Sequence, residues 1–279
     1  MHNCCAVHVI VEKVIRISKT ILIMKKASFF ILLLCLLVPI TVKAEKKPFG
    51  NGLYWELNSS GVLTISGTGD MPNFGYRGQQ PWPENGIRKV IIDYGVTSIG
   101  ENAFGENKDN TLLSVEIPSS VKTIGRAAFL ECKRLSSIWI PYSVKTIGED
   151  AFFKCESLSS INIPSSVTSI EDGAFLATGI TSIVIPNSVR SIGEAAFAEC
   201  INLKNISISE SVISIGDDAF IGDEDDKCYE GKISLLPQWL LDKGTSEWRR
   251  CGLSAKSVEA FKRTNTPDAR IKRKGGYRS

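Results

Sequence analysis

Along the middle of the chain the apolar positions follow one order again and again. A first stretch reads L-x-x-I-x-I-P: "LSSIWIP" from Leu135, "LSSINIP" from Leu158 and "ITSIVIP" from Ile180, with "LLSVEIP" from Leu112 and "LKNISIS" from Leu203 as close variants. Its last apolar residues alternate with polar ones, which predicts a strand. Pro141, Pro164 and Pro186 end that strand, because proline has no N–H to give to a ladder. A second stretch, S-V-x-x-I-G, turns Val144 and Ile147 inward and uses Gly148 for a turn. A third, A-F-x-x-C, is too short for a stable lone helix. It is expected to form a single helical or 3₁₀ turn with Phe152 pointing in.

The spacing is nearly constant. Phe104, Phe129, Phe152, Phe175, Phe197 and Phe220 stand 25, 23, 23, 22 and 23 residues apart, and Ile99, Ile124, Ile147, Ile170, Ile192 and Ile215 keep step with them. Each unit has three inward faces and no second layer of its own. Only stacking on its neighbours buries those faces, so the units predict a solenoid. With strands ~4.8 Å apart, six coils give a body on the order of 30 Å long.

This pattern resembles the BspA-like class of leucine-rich repeats over roughly residues 87–222. The resemblance implies an α/β solenoid of short strands and short helical turns. The preceding segment resembles that class's N-terminal cap. "GLYWELNSSGVLTISGTGDM" alternates at Leu53, Trp55 and Leu57, turns over residues 58–61 and alternates again at Leu63 and Ile65, which reads as a β-hairpin. A cap is physically required, since the first coil would otherwise expose a sheet edge and a bare core. The domain plan is then a leader (1–23), a signal peptide (24–44), an N-terminal cap (45–86), about six coils (87–222), a C-terminal cap (223–261) and a basic tail (262–279). The resemblance further implies a secreted or surface protein that binds other proteins or mediates adhesion, without catalysis and without a cofactor. It does not carry over a ligand.

The N-terminal segment changes the charge picture. From Met24, Lys25 and Lys26 precede an apolar run from Phe29 to Val38, and Val42 and Ala44 offer small residues before a cut at Glu45. The run is shorter than the ~20 residues a spanning helix needs. Cys35 lies inside the run behind Leu33 and Leu34, which does not fit a lipoprotein. Met24 is read as the true start, with residues 1–23 a mis-assigned extension. Without residues 1–44, the 33 Lys and Arg fall to 27 and the 30 Asp and Glu to 29. The excess of positive charge belongs to the targeting segment and does not argue for nucleic acid. Both histidines, His2 and His8, go with it. A chain without histidine has no Ser–His–Asp triad, no Cys–His dyad and no imidazole metal ligand.

Candidate sites are sought in the positions that the stack leaves free. Cys132, Cys155 and Cys200 follow the repeat Phe by three residues and are read as a buried thiol ladder, since free Cys behaves as a small hydrophobe. Cys228 and Cys251 flank "ISLLPQWLLDKGTSEWRR" and could close a disulfide in an exported chain. On the strand face, one outward column reads Ile91, Glu116, Trp139, Asn162, Val184, Ser207. Another, just past the proline, reads Tyr94, Ser119, Tyr142, Ser165, Asn187, Glu210. From these, Trp139, Tyr142, Glu116, Asn162 and Tyr94 form the candidate binding set. An exposed Trp near a Tyr, ringed by Ser136, Ser137, Ser159 and Ser160, has the make-up of a hot-spot centre.

The expected partner is an extracellular or surface protein, of host origin among other sources. A glycan stacked on the same aromatics is the alternative. A hydrolase using paired carboxylates is the third reading, and Glu116 and Glu210 stand about four coils apart, too far to cooperate. The tail from Lys262 reads as a solvated basic end. "DEDD" at Asp223 to Asp226 lacks EF-hand spacing and reads as an acidic loop.

Overall fold

A computed structural model describes residues 45–50, 52–75, 79–106, 109–222 and 229–265. The leader, the signal segment, the acidic 223–226 loop, Cys228 and the tail past Asn265 lie outside the described residues. Coils are numbered here as coil 1 (87–111), coil 2 (112–134), coil 3 (135–157), coil 4 (158–179), coil 5 (180–202) and coil 6 (203–222).

The coils stack into a β-solenoid of about 7 turns: the alternating stretch is the predicted strand in every coil but coil 4, and S-V-x-x-I-G adds a second short strand that was not expected. The first strand series runs Lys89–Ile92, Ser114–Glu116 and Ser137–Ile138, then resumes at Ser182–Ile185, Asn205–Ile208 and Lys232–Leu235. The second runs Val96–Ile99, Thr123–Ile124 and Thr146–Ile147, then Ser169–Ile170, Ser191–Ile192 and Ser214–Ile215. Neighbours within each run pair in parallel with like over like, as in Val115 beside Ile138, Ile183 beside Ile206 and Ile192 beside Ile215. A one-residue slip would turn every buried Ile outward, so the apolar columns pin the register. The serine of S-V adds its own ladder: Ser143 Oγ donates to the Val121 carbonyl at 2.6 Å and Ser211 Oγ to that of Val189 at 3.2 Å.

On the third side the A-F stretch holds no α-helix among the described repeat residues; it closes single i→i−3 turns, the bonding of the 3₁₀ alternative, but with a left-handed backbone that was not expected. It arises at two positions per coil. Ala127 and Glu131, like Asp150 and Lys154, sit at φ of 51, 55, 54 and 56°. That left-handed conformation rotates alternate N–H groups out of any helical path. Ala127, Phe129 and Glu131 donate to the carbonyls of Glu149, Ala151 and Phe153 on the next coil at 2.7–2.9 Å, while Ala128, Leu130 and Cys132 bond back three residues. Every polar group is thereby satisfied without a helix.

Inside this side runs a column of rings. Phe104, Phe129, Phe152, Phe175, Phe197 and Phe220 are fully buried and stack at 5.3–5.6 Å between centroids, with interplanar angles of 3–18°. Trp82 continues the column, stacked on Phe104 at 5.4 Å, and Phe49 and Phe74 meet it edge-on.

At the N-terminal end, Leu53–Leu57 and Val62–Gly67 pair antiparallel, with Leu57 opposite Leu63. Asn58 closes the turn between them by accepting from the Ser60 and Val62 amides. Val62–Gly67 then pairs in parallel with Lys89–Ile92 and so joins the coil stack. The outermost strand, Lys47–Phe49, is short and carries Pro48, both of which blunt an open edge.

At the other end three helices follow coil 6: α1 (Gln238–Lys243), α2 (Thr245–Arg250) and α3 (Ala255–Thr264). Asp218 and Phe220 donate to the Arg250 and Cys251 carbonyls at 2.7 and 3.0 Å, as each coil does to its successor. Residues 250 and 251 thus stand in for one more A-F turn. Trp248 is buried beside them and donates to the Leu240 carbonyl at 2.7 Å.

Candidate recognition surface

The strand series directs every second side chain away from the core, and most of those side chains are small or polar. Trp139 follows the strand Ser137–Ile138, and Tyr142 follows the proline that ends it. Trp139 is 58% and Tyr142 67% exposed, and their rings meet edge to face at 6.3 Å and 77°. Among the described residues, two large aromatic side chains thus present most of their surface outward in mutual contact. Trp139 carries an indole N–H and Tyr142 a hydroxyl, so the pair offers apolar area together with polar edges.

The other candidates divide. Tyr94 is 78% exposed in the same post-strand column, two coils from Tyr142. Glu116 is exposed on coil 2, and its carboxylate is 2.5 Å from Lys89 Nζ on coil 1. Asn162 is not free to meet a partner. Its side-chain Oδ1 accepts from the Ile140 N–H at 3.2 Å and its Nδ2 donates to the Ile140 carbonyl at 2.8 Å. The residue replaces a strand hydrogen bond and stays half-buried. Polar type and column position alone did not reveal this, because an amide able to imitate a peptide group looks like any other polar residue in sequence. Sequence reasoning also passed over Val184, which is exposed in the Trp139 column two coils on.

The thiols stay in the core. Cys132, Cys155 and Cys200 are buried, and their Sγ atoms approach the carbonyls of Phe104, Phe129 and Phe175 at 3.2–3.3 Å. Thr178 fills the same rung on coil 4, donating to Phe175 O at 2.9 Å. Burial pushes the Cys132 thiol up to about 12 and the Cys200 thiol up to about 11, and holds Cys155 well above the usual thiol range. A nucleophile or metal ligand must be a thiolate, and these sites disfavour one.

Cys251 is buried too, pushed up to about 11 by burial against the lowering effect of Arg250. Its proposed partner, Cys228, lies outside the described residues. The residue after it, Tyr229, is bonded to both sides of Leu253, giving its N–H to Gly252 at 2.7 Å and accepting from Ser254 at 3.1 Å. Among the described residues no group of three or more His, Cys, Asp or Glu is placed to hold a metal ion. No described helix is long and apolar enough to cross a membrane.

Residues 83–181 match the family model of the BspA type leucine rich repeat region, in 6 copies. Residues 83–181 therefore carry BspA type leucine rich repeats. Coils 5 and 6 lie beyond most of that match and repeat its hydrogen bonds and ring stack. Among solved structures, the leucine rich repeat protein of T. pallidum aligns over 80% of this chain and 97% of its own, with 23% identity and a TM-score of 0.53. A leucine rich cell surface protein of Faecalibacterium prausnitzii covers 67% of this chain and 60% of its own, at 23% identity and a TM-score of 0.38. A leucine-rich repeat protein of Bacteroides ovatus covers 68% and 71%, at 20% identity and 0.26. No match was found among curated proteins. The T. pallidum likeness bears on the fold alone.

Proposed function

We propose that this is an exported, non-enzymatic protein that recognises another protein at or outside the cell surface, with adhesion as the outcome. The observation that carries the reading is the Trp139–Tyr142 pair, exposed and mutually braced on a face whose other positions are mostly small and polar. The stack of coils 1–3 holds the pair rigid, which lowers the ordering cost of binding. The N-terminal hairpin and the C-terminal helices act as caps that keep the face from becoming an edge for unwanted strand pairing. Export rests on the Met24–Ala44 segment, and it permits a Cys228–Cys251 bridge that would fasten the last turn.

The test is capture of surface proteins by the wild type and by a Trp139→Ala, Tyr142→Ala double variant. A hot-spot pair is worth ~2 kcal/mol or more, so the variant should bind at least about 30-fold more weakly. Protease treatment of the target should abolish binding. Abolition by periodate instead would move the reading to a glycan. Equal capture by both proteins would remove the aromatic pair from the function.

A further inference from the structure

The coils are not joined alike. On the second strand series each coil gives two backbone bonds to the coil before it. Lys122, Lys145, Arg190 and Ile213 donate to Thr97, Lys122, Thr168 and Arg190, each at 2.8 Å. Gly125, Gly148, Gly193 and Gly216 donate to Ile99, Ile124, Ile170 and Ile192 at 2.8–2.9 Å. Thr168 and Glu171 of coil 4 occupy those two columns and make neither bond to coil 3. The second sheet breaks between Thr146–Ile147 and Ser169–Ile170, at this junction, and the first ends at Ser137–Ile138 and restarts only at Ser182–Ile185, with no strand in coil 4.

A cause stands in each face. The column of Gly125, Gly148, Gly193 and Gly216 lies against the backbone of the preceding coil. A Cβ on Gly148 would come within 2.7 Å of Arg126 N, and one on Gly193 within 2.5 Å of Asp172 N. Coil 4 has Glu171 in that column, and its Cβ holds coil 4 away from coil 3. On the other face Ser136, Thr181 and Lys204 donate backward to Leu113, Ser159 and Thr181 at 2.8–3.0 Å, and Ser159 has no such bond. There the Asn162 side-chain amide bonds the N–H and carbonyl of Ile140 instead.

The third side is intact. Asp150, Phe152 and Lys154 donate to Asp172, Ala174 and Leu176 at 2.9–3.0 Å. Phe152 and Phe175 stack at 5.4 Å and 3°, within the 5.3–5.6 Å range of the column.

We propose that the solenoid is jointed between coils 3 and 4: two rigid stacks that open and close about the Phe152–Phe175 side. Trp139 and Tyr142 ride on the last coil of the first stack, and Asn162 and Ser165 on the first coil of the second. On the recognition reading above, a partner seated on the aromatic pair therefore feels the joint. The joint itself is independent of any partner.

Amide hydrogen exchange on the unliganded full chain tests it. The Thr168 amide should exchange roughly tenfold or more faster than those of Lys145 and Arg190, which are bonded in the same column. Glu171→Gly removes the obstructing Cβ, so Thr168 should slow by about tenfold, and Ile140, whose amide bond spans the joint, should slow with it. Glu171→Ala keeps the Cβ and should change neither. Should the glycine variant fold poorly, Asn162→Val, which places in coil 4 the residue coil 5 has at Val184, should slow the Ser159 amide instead. Thr168 protected like Arg190 in the wild type overturns the joint. So does a Gly variant with unchanged exchange, and equal slowing in the Ala variant overturns the Cβ as its cause. None of these outcomes bears on the aromatic pair, which the capture experiment judges separately.

Discussion

The molecule holds two aromatic systems that differ in every physical respect. The six stacked phenylalanines are fully buried, one per coil, and continue into Trp82. Trp139 and Tyr142 are a single pair on the opposite duty, exposed, and confined to coil 3. Repetition marks the first as a requirement of stacking. A ring missing from one coil would leave a void between two others. The second pair satisfies no stacking need, since Glu116 and Val184 occupy the Trp139 column elsewhere. The same residue class is structural where it recurs and informative where it does not.

Truncation separates the two most sharply. Phe152→Ala should cost about 3–5 kcal/mol of stability by cavity formation in the middle of the column. Trp139→Ala with Tyr142→Ala should stay within about 0.5 kcal/mol, because neither ring is core. Chemical denaturation of both variants checks the contrast, and comparable losses would erase it.

The thiol rungs beside the phenylalanines give a pH version of the same comparison. The Cys132 thiol rises from 9.0 to about 12 on folding. Above about pH 9 the unfolded chain releases that proton while the folded chain keeps it. The stabilising contribution is therefore whole below pH 9 and is lost progressively as pH rises toward 12. Stability measured from pH 8 to 11 should fall, and fall less steeply in Cys132→Ala. An identical slope would mean that the thiol is not shielded by the column.

The smallest effect concerns the turns that carry the rings. Coil 4 meets the left-handed position with Gly173 at φ 60°, whereas coil 5 uses Ala195 at φ 51°. Ala195→Gly should relieve about 1 kcal/mol of left-handed strain, partly offset by the greater freedom of glycine in the unfolded chain. A small rise in Tm is the expected reading, and a loss would show that the backbone there is less strained than its angle implies.

Much of this architecture was legible in the sequence. Alternation located the first strand column, proline its end, and the Phe, Ile and Cys periods the core rungs, whereas the second strand column was read only as inward residues before a turn. Three further features were not legible. Ala127 and Glu131 adopt a left-handed conformation that their side chains do not advertise, so a helical turn was the natural expectation for the A-F stretch. Asn162 belongs to a presented column by position but imitates a peptide group for Ile140. Arg250 and Cys251 complete an extra turn with no trace of the repeat motif, because they supply only carbonyls, and any residue has one. Of the binding set, Trp139, Tyr142, Tyr94 and Glu116 emerge exposed. Their exposure could be inferred from column parity, whereas the edge-to-face contact of Trp139 with Tyr142 needed the turn at Pro141 to bring them together.

The hydrogen bonds between coils all run along the solenoid axis. Tension applied to its two ends would load them head-on and in small groups, as in a zipper, rather than all together in shear. A solenoid of this build gives way one coil at a time. Each coil of 23 residues releases on the order of 80 Å of chain, so the protein would lengthen under a pull while the remaining coils kept their form.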